Sequence, residues 1–429
     1  MRSFVSNNIN NALHLASICL AAVLATVGHA ATLTTDGSAA DVQAKINAAS
    51  PGDTIAIPAG SFAWSSGVTN GGKPVKISGA GVGSTTVNRA ETSGHLLALS
   101  GAFELSGIRF LDPYDGSQVN FSFLVDVSPA GGIPTIHDCQ FTTGYNYAVR
   151  FTSNGGVIWN CSFWTTSEML GGISFVNTSA DASEWNKADT MGMQGDPSGT
   201  LNTYVEDCKF YDTTTAVSNL DDNSRVVWRH NLMSNVQMGS HGQETSVWGA
   251  RHWEIYSNTF VVSMSGTSSQ GTPYPLNLNN LIGLRGGTGV ITGNAMDVVP
   301  FGKDQIQFNV FNIRRATGQL PCQTAWPSAH QIGQGWSATS QAPFGNPVVT
   351  RDGVGAILDP AYVWGNTGSA TTDPNYIALN EYQPDECGNG QLIANYVKAG
   401  RDYLTTAKPG YAPYTYPHPI RGGSPTPTP

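Results

Sequence analysis

A short pattern that returns seven times constrains this chain more than any other feature of its sequence. Each six-residue copy begins with an apolar residue, followed by two variable residues. Most copies have Cys or Asn at the fourth place, then one further variable residue, and Phe or Met at the end. The copies start at residues 105, 136, 158, 205, 228, 255 and 291 and read LSGIRF, IHDCQF, IWNCSF, VEDCKF, WRHNLM, IYSNTF and ITGNAM. Such repetition is typical of solenoids, in which each unit buries its apolar side chains by stacking on its neighbours.

The spacing of the copies predicts which turns carry long loops. Measured at the fourth position, successive copies are 31, 22, 47, 23, 27 and 36 residues apart. The short separations suit one turn of a solenoid, and the long ones suit one turn with a loop, or two turns. Because GGISF occurs at 171–175, inside the longest separation, we expect an extra turn there.

The residue types in the repeat favour strands over helices. The segments are short, β-branched or aromatic, and bounded by Gly, Asn, Asp and Ser, while helical periodicity is almost absent after residue 50. A second strand lies upstream of most copies, at 124–127, 148–151, 216–217, 246–249 and 282–285. We therefore predict an all-β fold, a right-handed parallel β-helix over residues 31–366.

The fourth position of the repeat is predicted to form a ladder inside the solenoid. Three asparagines would hydrogen-bond along the stack at a turn, namely Asn231, Asn258 and Asn294. Three cysteines would occupy the same place in earlier turns as buried thiols, namely Cys139, Cys161 and Cys208. We favour this structural role over a catalytic or metal-binding one.

A short helix is expected to cap the N-terminal end of the solenoid. The sequence SAAD at 38–41 is a capping box, and Val42, Ile46 and Ala49 follow at helical spacing. The sequence PGD at 51–53 ends this helix, and the first strand is predicted at 54–57. Such a cap would cover the core that the first turn otherwise exposes.

The two ends of the chain carry export and tail features. Arg2, an apolar run at 13–27 and the sequence GHA at 28–30 predict a signal peptide over residues 1–30, too short for a membrane span. We expect a secreted protein, extracellular or periplasmic, with no membrane association once the signal is removed. Residues 367–420 are predicted to form a C-terminal capping extension, and 421–429 a Pro/Thr-rich tail.

Charge and cysteine content limit the partners. The formal net charge is −9, and it becomes −10 without Arg2, with no basic run along the chain. Nucleic acid is therefore excluded as a partner, and an anionic substrate would need a locally positive groove. We expect a monomer. Cys322 and Cys387 could pair in an oxidising compartment, and this remains open.

The N-terminal part of the chain resembles a known family. The sequences DVQA at 41–44, GDTIAIPAG at 52–60 and VKISGAG at 75–81 are similar to the entry of pectate-lyase-like β-helices. The resemblance extends from residue 38 to about 300. It also includes uncharacterised secreted bacterial β-helix proteins, through YVED at 204–207, SHG at 240–242 and GARHWEIY at 249–256. It implies the pectin lyase fold and action on an extracellular polysaccharide.

Titratable residues cluster between positions 219 and 256, and elsewhere they are sparse. The cluster contains Asp221, Asp222, Arg225, Arg229, His230, His241, Glu244, Arg251, His252 and Glu254. Arg229 and His230 fall inside a strand beside the ladder, where we expect a solvated outer face. The remaining members are candidates for a site, because functional residues of a solenoid project from its strands or lie at their ends.

Counting from the ladder suggests which of these residues lie side by side. If the three asparagines are level, counting back the same number of residues aligns Asp221, Trp248 and Leu284. Arg285 follows directly, and Arg150 projects from an equivalent strand in an earlier turn. We predict a polar groove with an aromatic platform, in which Trp248, Arg285, Arg150 and Glu244 bind substrate.

The first functional hypothesis is a polysaccharide lyase acting on a uronic-acid-containing glycan. β-Elimination needs a neutralised carboxylate, a base for the C5 proton and an acid for the leaving oxygen. Arg251 or Arg285 could neutralise the carboxylate, or calcium held by Asp221 and Asp222 could do so. His241 or Arg251 could be the base. We place His241, Arg251 and Asp222 in the catalytic set.

Two alternatives remain open at this stage. The pair Asp221 and Asp222, followed by SHG at 240–242, is similar to motifs of polygalacturonase-like glycoside hydrolases, which need two carboxylates with water between them. However, the Asn-Thr-Asp and Arg-Ile-Lys motifs of that family are missing. The second alternative is a non-catalytic glycan-binding β-helix, in which the two aspartates only shape a turn.

Overall fold

The chain visits three parallel sheets in the same order on each turn. The computed structural model describes residues 30–90, 94–112, 123–144, 146–167, 170–177, 185, 187–241, 249–263, 265–298, 307–312, 330–336, 356–368, 373–380 and 392–422. Within these ranges nearly all regular structure is parallel strand, wound around one continuous core. The predicted right-handed parallel β-helix is confirmed.

We name the three sheets in the order in which a turn visits them. Sheet 1 has twelve strands: Thr32–Thr34, Thr54–Ile57, Lys76–Gly79, Glu104–Ser106, Thr135–His137, Gly156–Trp159, Thr203–Glu206, Arg225–Arg229, His252–Tyr256, Thr288–Thr292, Ala361–Trp364 and Tyr403–Leu404. Sheet 2 has ten strands: Gly60–Trp64, Thr85–Arg89, Arg109–Leu111, Gln140–Thr143, Ser162–Thr165, Lys209–Thr213, Leu232–Val236, Thr259–Val262, Ala295–Val298 and Thr367–Gly368. Sheet 3 has ten strands: Val68–Thr69, Leu97–Ser100, Val125–Ser128, Val149–Phe151, Leu170–Val176, Ala216–Asp221, Met238–Ser240, Asn280–Leu284, Gln307–Phe311 and Ile377–Leu379.

The remaining elements lie outside the three sheets. Gln334–Trp336 and Ala356–Leu358 pair antiparallel. The helices are Ala39–Ala48, Gly192–Gly195, Ile393–Tyr396 and the 3-10 turn Pro419–Arg421. No helix among the described residues is long and apolar enough to cross a membrane.

The repeated pattern spans the corner between sheets 1 and 2. Its first residue points inward from sheet 1, and its last residue points inward from sheet 2, where the rings of Phe110, Phe141, Phe163 and Phe210 stack with centroids 5.3, 5.0 and 4.7 Å apart. All four rings are buried. Because inward residues repeat at the same place in every turn, each turn buries its apolar side chains on the next.

The predicted ladder is confirmed and continues through Asn366 to Asn375. The Asn258 side chain accepts from Asn231 Nδ2 at 2.9 Å and donates to Asn294 Oδ1 at 3.0 Å, and Asn294 donates to Asn366 at 2.8 Å. In earlier turns the ladder position holds buried free thiols, Cys139, Cys161 and Cys208. Burial raises the pKa of the Cys161 thiol, so it stays protonated.

The N-terminal helix forms where the sequence predicts it. Ser38 caps Ala39–Ala48 by accepting from the Asp41 amide at 3.2 Å, and Val42 and Ile46 are buried against the first turns. The prediction that the first strand starts at residue 54 is wrong, because the structure has an earlier strand. Thr32–Thr34 precedes the helix and pairs with Thr54–Ile57.

Two expectations about the turns are wrong. The longest separation holds one turn, since Leu170–Val176 belongs to sheet 3 and the next strand, Thr203–Glu206, pairs directly with Gly156–Trp159. The excess residues therefore form a long connection. In the turn that contains His241, the strand that pairs in sheet 3 is Met238–Ser240, whereas the sequence placed this strand at 246–249.

The C-terminal residues pack along the solenoid. Tyr403–Leu404 adds to sheet 1, and strand pairing continues beyond residue 366 through Thr367–Gly368 and Ile377–Leu379. Residues 411–421 then lie against the outer face of sheet 1, where Tyr416 donates to Asp207 at 2.6 Å. Residues 1–29, Cys322, Cys387 and residues 423–429 fall outside the described residues, so the signal peptide, the disulfide and the tail stay predictions.

The expected solvated face around Arg229 is wrong. Arg229 does point outward from sheet 1, but it is buried, because residues 411–421 cover it. It donates to the Tyr414 carbonyl at 2.6 Å and pairs with Glu206. His230 stacks on Tyr416 with ring centroids 3.6 Å apart.

Candidate functional site

Three polar residues are level at the C-terminal ends of adjacent strands of sheet 3. Leu220 pairs with Ser240, and Gly239 pairs with Gly283, and the same register aligns Asp221, His241 and Arg285 at the ends of their strands. The backbone continues this pairing, since the His241 amide donates to the Leu220 carbonyl at 2.9 Å. Side chains alternate along a strand, and the preceding residues point inward, so these three point outward.

This alignment corrects the expected one. The register places His241 at the position beside Asp221 that the sequence count assigned to Trp248. The counting failed because the connection from sheet 3 to sheet 1 differs in length between turns. Trp248 and Glu244 lie outside the described residues, so their substrate-binding roles stay predictions.

The contacts of His241 define which ring nitrogen can act as a base. Its Nδ1 is 2.5 Å from Asn219 Oδ1 and 3.6 Å from Asp221 Oδ2. Both neighbours are acceptors, so in the neutral ring the proton resides on Nδ1 and the lone pair on Nε2. The His241 side chain is 30% exposed, whereas that of Asp221 is 6% exposed. A solvent-facing imidazole is thus oriented by a buried carboxylate and an amide.

A polar cavity adjoins Arg285 on the same sheet. Its volume is about 600 Å³, and Gly239 and Gly283 line it. Six amide side chains surround this space: Gln237, Asn277, Asn279, Asn280, Asn312 and Asn380. Each amide offers two donors and one acceptor oxygen, which matches the hydroxyl groups of a sugar.

Tyr147 is a functional candidate that sequence reasoning missed. Burial raises the pKa of its phenol, while the nearby charge of Arg285 lowers it and that of Asp221 raises it. Both charged residues therefore act on this ring electrostatically, and the phenol keeps its proton at neutral pH. Tyr147 precedes a sheet 3 strand of an earlier turn, and no motif marks it in the sequence.

The polar row continues toward the N-terminal turns of sheet 3. The register places Asp126, Arg150, Ser174 and Asn219 at one level on successive strands. Arg150 Nε donates to Asp126 Oδ1 at 2.6 Å, and Asn219 donates to Ser174 at 3.3 Å. The outward face of sheet 3 therefore carries a row of polar groups that includes Arg150, and we call this face, from Asp126 to Arg285, the groove.

Arg251 is not beside His241 in the structure. It lies at the corner where the chain enters sheet 1, it is 1% exposed, and its Nε donates to the Trp185 carbonyl at 3.2 Å. Its guanidinium is 5.2 Å from the Trp185 ring. This burial removes the Arg251 side chain from the outward face of sheet 3 that carries His241, because a buried side chain cannot contact a polymer there.

Asp221 and Asp222 stand together at the end of one strand. The Asp222 amide donates to Asp221 Oδ1 at 2.9 Å, and Asp222 has a positive φ of 44° at the turn. Calcium takes six to eight oxygen ligands. No group of three or more His, Cys, Asp or Glu side chains in the described ranges has the geometry to hold a metal. The two carboxylates alone do not complete a calcium site, and calcium stays a prediction.

A second set of charged residues belongs to sheet 1 and is structural. His252 is buried between Asp189, 3.4 Å away, and Glu254, 3.2 Å away. Tyr411 donates to Glu254 at 2.5 Å, and Arg421 donates to Glu206 at 2.8 Å. The titratable cluster found in the sequence thus divides between an open groove on sheet 3 and a face of sheet 1 that the C-terminal residues cover.

A cavity of about 590 Å³ on sheet 1 is a weaker candidate for binding a sugar. The Trp159 ring lines it, but the ring of His137 stacks on Trp159 at 4.3 Å from the preceding turn. The Arg421 guanidinium lies 5.7 Å over the same indole and is held by Glu206 of the following turn. The faces of the indole are occupied, so the groove of sheet 3 remains the candidate site.

Comparison with known proteins gives structural likeness only. No family model matches the chain, and no curated protein matches its sequence. An alginate lyase from Paenibacillus sp. str. FPU-7 is 11% identical with a TM-score of 0.44, over 82% of this chain and 99% of that chain. A PL6 family polysaccharide lyase from Pseudopedobacter saltans is 11% identical with a TM-score of 0.42, over 85% and 82%. The A-module of a mannuronan C-5 epimerase from Azotobacter vinelandii is 12% identical with a TM-score of 0.28, over 81% and 96%.

Likeness at this distance carries no conclusion about activity. The order and register of the strands themselves establish the class of this protein. It is a right-handed parallel β-helix that carries a row of polar side chains along one sheet.

Proposed function

We propose that this protein is a polysaccharide lyase that cleaves a uronic-acid-containing glycan by β-elimination in the groove of sheet 3. One observation carries the proposal: Asp221, His241 and Arg285 are level on adjacent strands, beside an amide-lined cavity. A cation next to an oriented imidazole suits chemistry at a carbon that bears a carboxylate. The groove along the solenoid suits a linear polymer.

Arg285 is the group that binds the uronate carboxylate. A guanidinium can hold a carboxylate through two parallel hydrogen bonds. This pairing disperses the negative charge that builds up on the carboxylate when the C5 proton leaves. Arg285 is level with His241, so a carboxylate held by Arg285 brings C5 of the same sugar toward the imidazole.

His241 is the base in this mechanism. Its Nε2 lone pair takes the C5 proton, and the electrons of that C–H bond form a double bond between C4 and C5. The C4–O bond breaks, and the leaving oxygen takes a proton. Asp221, 3.6 Å from Nδ1, stabilises the imidazolium that forms.

The protonated phenol of Tyr147 is the donor to the leaving oxygen. Burial raises the pKa of this group, so the phenol is protonated at neutral pH and gives up its proton only as negative charge develops on the leaving oxygen. Tyr147 precedes the strand Val149–Phe151 of sheet 3, which supports its assignment to this side of the solenoid. We further propose that the protein acts after export, outside the cytoplasm, where its polymer substrate occurs.

Product analysis separates this proposal from its two alternatives. The protein without residues 1–30 is incubated with polygalacturonate, alginate and neutral glucans. Unsaturated ends that absorb ultraviolet light indicate a lyase, whereas reducing ends without this absorbance indicate a hydrolase. Retention on a glycan column without any product indicates a binding protein.

Three substitutions and one control test the assigned residues. His241→Ala and Arg285→Ala are each expected to reduce kcat/KM by about a hundredfold or more. Lys209→Ala, an exposed site on sheet 2, is the matched control and should leave the rate unchanged. If His241→Ala and Arg285→Ala remain folded and keep the wild-type rate, the assignment is wrong. Full loss of turnover in Arg251→Ala, with an unchanged melting temperature, would return the catalytic role to Arg251.

A further inference from the structure

We propose that Arg150 forms a second carboxylate-binding subsite in the groove, which holds a uronate several sugars away from the bond that is cleaved. This inference rests on the proposed function and adds a specificity-determining residue to it. Arg150 lies on the same face of sheet 3 as Asn219, whose side chain contacts His241. The subsite and the catalytic row thus face the same polymer.

The orientation of the Arg150 side chain is set before any ligand binds. Asp126 accepts from Nε at 2.6 Å, and the guanidinium carbon lies 4.6 Å over the Phe123 ring. Phe123 is itself buried, and its backbone is held by two further side chains: its carbonyl accepts from Arg89 at 2.7 Å, and its amide donates to His95 at 3.1 Å. An arginine fixed by packing and by one hydrogen bond loses little side-chain entropy when it binds a ligand.

The outer edge of the guanidinium is available to a ligand on the outward face of sheet 3. In the described part of the chain, the terminal Nη1 and Nη2 atoms of Arg150 make no hydrogen bond. The side chain is 23% exposed, and neither terminal nitrogen is a buried atom without a partner, so both donors are open to solvent. Two adjacent donors on one planar edge match the two oxygens of a carboxylate.

Because its charge is balanced locally, Arg150 binds an anion through directed hydrogen bonds rather than through net positive charge. Arg150 and Asp126 form a neutral pair, and His95 lies 3.7 Å from the other oxygen of Asp126. Burial lowers the pKa of His95, which keeps its ring neutral. Attraction of an anion therefore depends on the directed donors of Arg150 and less on net charge, which suits the planar carboxylate of a uronate.

The separation of the two positions determines the kind of substrate. Three strand spacings separate the strand of Arg150 from that of Met238–Ser240, which is about 14 Å along the solenoid. A short oligomer that occupies the catalytic row does not reach this far, whereas a polymer does. Arg150 thus favours long polyuronates over short ones.

The test compares long and short substrates. For the polyuronate that the wild type cleaves, KM and kcat are measured with the polymer and with the shortest oligomer that is cleaved. Arg150→Ala is expected to raise KM for the polymer by about tenfold and to change the ratio of the two KM values by the same factor. Arg150→Lys keeps the charge without the planar edge and should recover only part of this loss, and Lys209→Ala is the control.

The outcomes are distinct. An unchanged polymer KM, or an equal loss on polymer and oligomer, would overturn the subsite, because a purely structural role affects both substrates alike. If the wild type cleaves no polyuronate, the proposed function fails, and retention of polygalacturonate and alginate in affinity electrophoresis then tests the subsite alone. Retention that Arg150→Ala removes for these polymers, and not for a neutral glucan, supports it, and any other pattern refutes it.

Discussion

Replacing Asn258 with alanine is expected to cost about 4 kcal/mol of unfolding free energy. Its side chain makes four buried hydrogen bonds. Oδ1 accepts from the amide and from Nδ2 of Asn231 at 3.0 and 2.9 Å, and Nδ2 donates to the Trp228 carbonyl and to Asn294 at 2.9 and 3.0 Å. Each such bond contributes about 1 kcal/mol net, and the alanine leaves buried partners without a replacement.

Urea unfolding followed by tryptophan fluorescence measures this cost. The matched control is Cys208→Ala, at the equivalent ladder position of an earlier turn, where the thiol lies 3.9 Å from the Ile158 carbonyl. Because the control loses a small packed atom and almost no hydrogen bonding, we expect about 1 kcal/mol there. If Asn258→Ala costs no more than Cys208→Ala, the ladder contributes packing alone and the reasoning is refuted.

Three further predictions concern charge. Burial opposes protonation of His252, but hydrogen bonds with Asp189 and Glu254 outweigh it and raise the pKa above 6.5. Protonated His252 therefore stabilises the folded protein fully below pH 6.5, and this stabilisation is lost as pH rises through the raised pKa. The variant His252→Asn should therefore show a smaller fall of melting temperature above pH 6.5. Arg421→Ala removes one of the two arginines that pair with the buried Glu206, and it should lower the free energy of unfolding by about 3 kcal/mol. We expect faster proteolysis of residues 411–421, and unchanged proteolysis would contradict this. EDTA should leave turnover intact, because Arg285 supplies the positive charge at the carboxylate, whereas loss that calcium restores would assign Asp221 and Asp222 as ligands.

The shape of the fold follows from the sequence because stacking repeats locally. Each copy of the pattern places an apolar residue in sheet 1, a ladder residue at the corner and an aromatic or Met side chain in sheet 2, and these places recur in every turn. The repeat therefore predicts the mutual contacts of Asn231, Asn258 and Asn294. Ser38 likewise predicts the start of the N-terminal helix. No information from distant parts of the chain is needed for either.

The site could be located only from the tertiary structure, because loop lengths decide which residues lie side by side on adjacent strands of sheet 3. From sheet 3 to the ladder there are 10 residues after Asp221, 17 after His241 and 9 after Arg285, so a constant offset selects the wrong neighbour. Burial of Arg229 depends on Tyr414, 185 residues away in sequence. Local pattern determines which side chains face the core of a solenoid, whereas loop length and distant segments determine which outward side chains meet and which stay open to solvent.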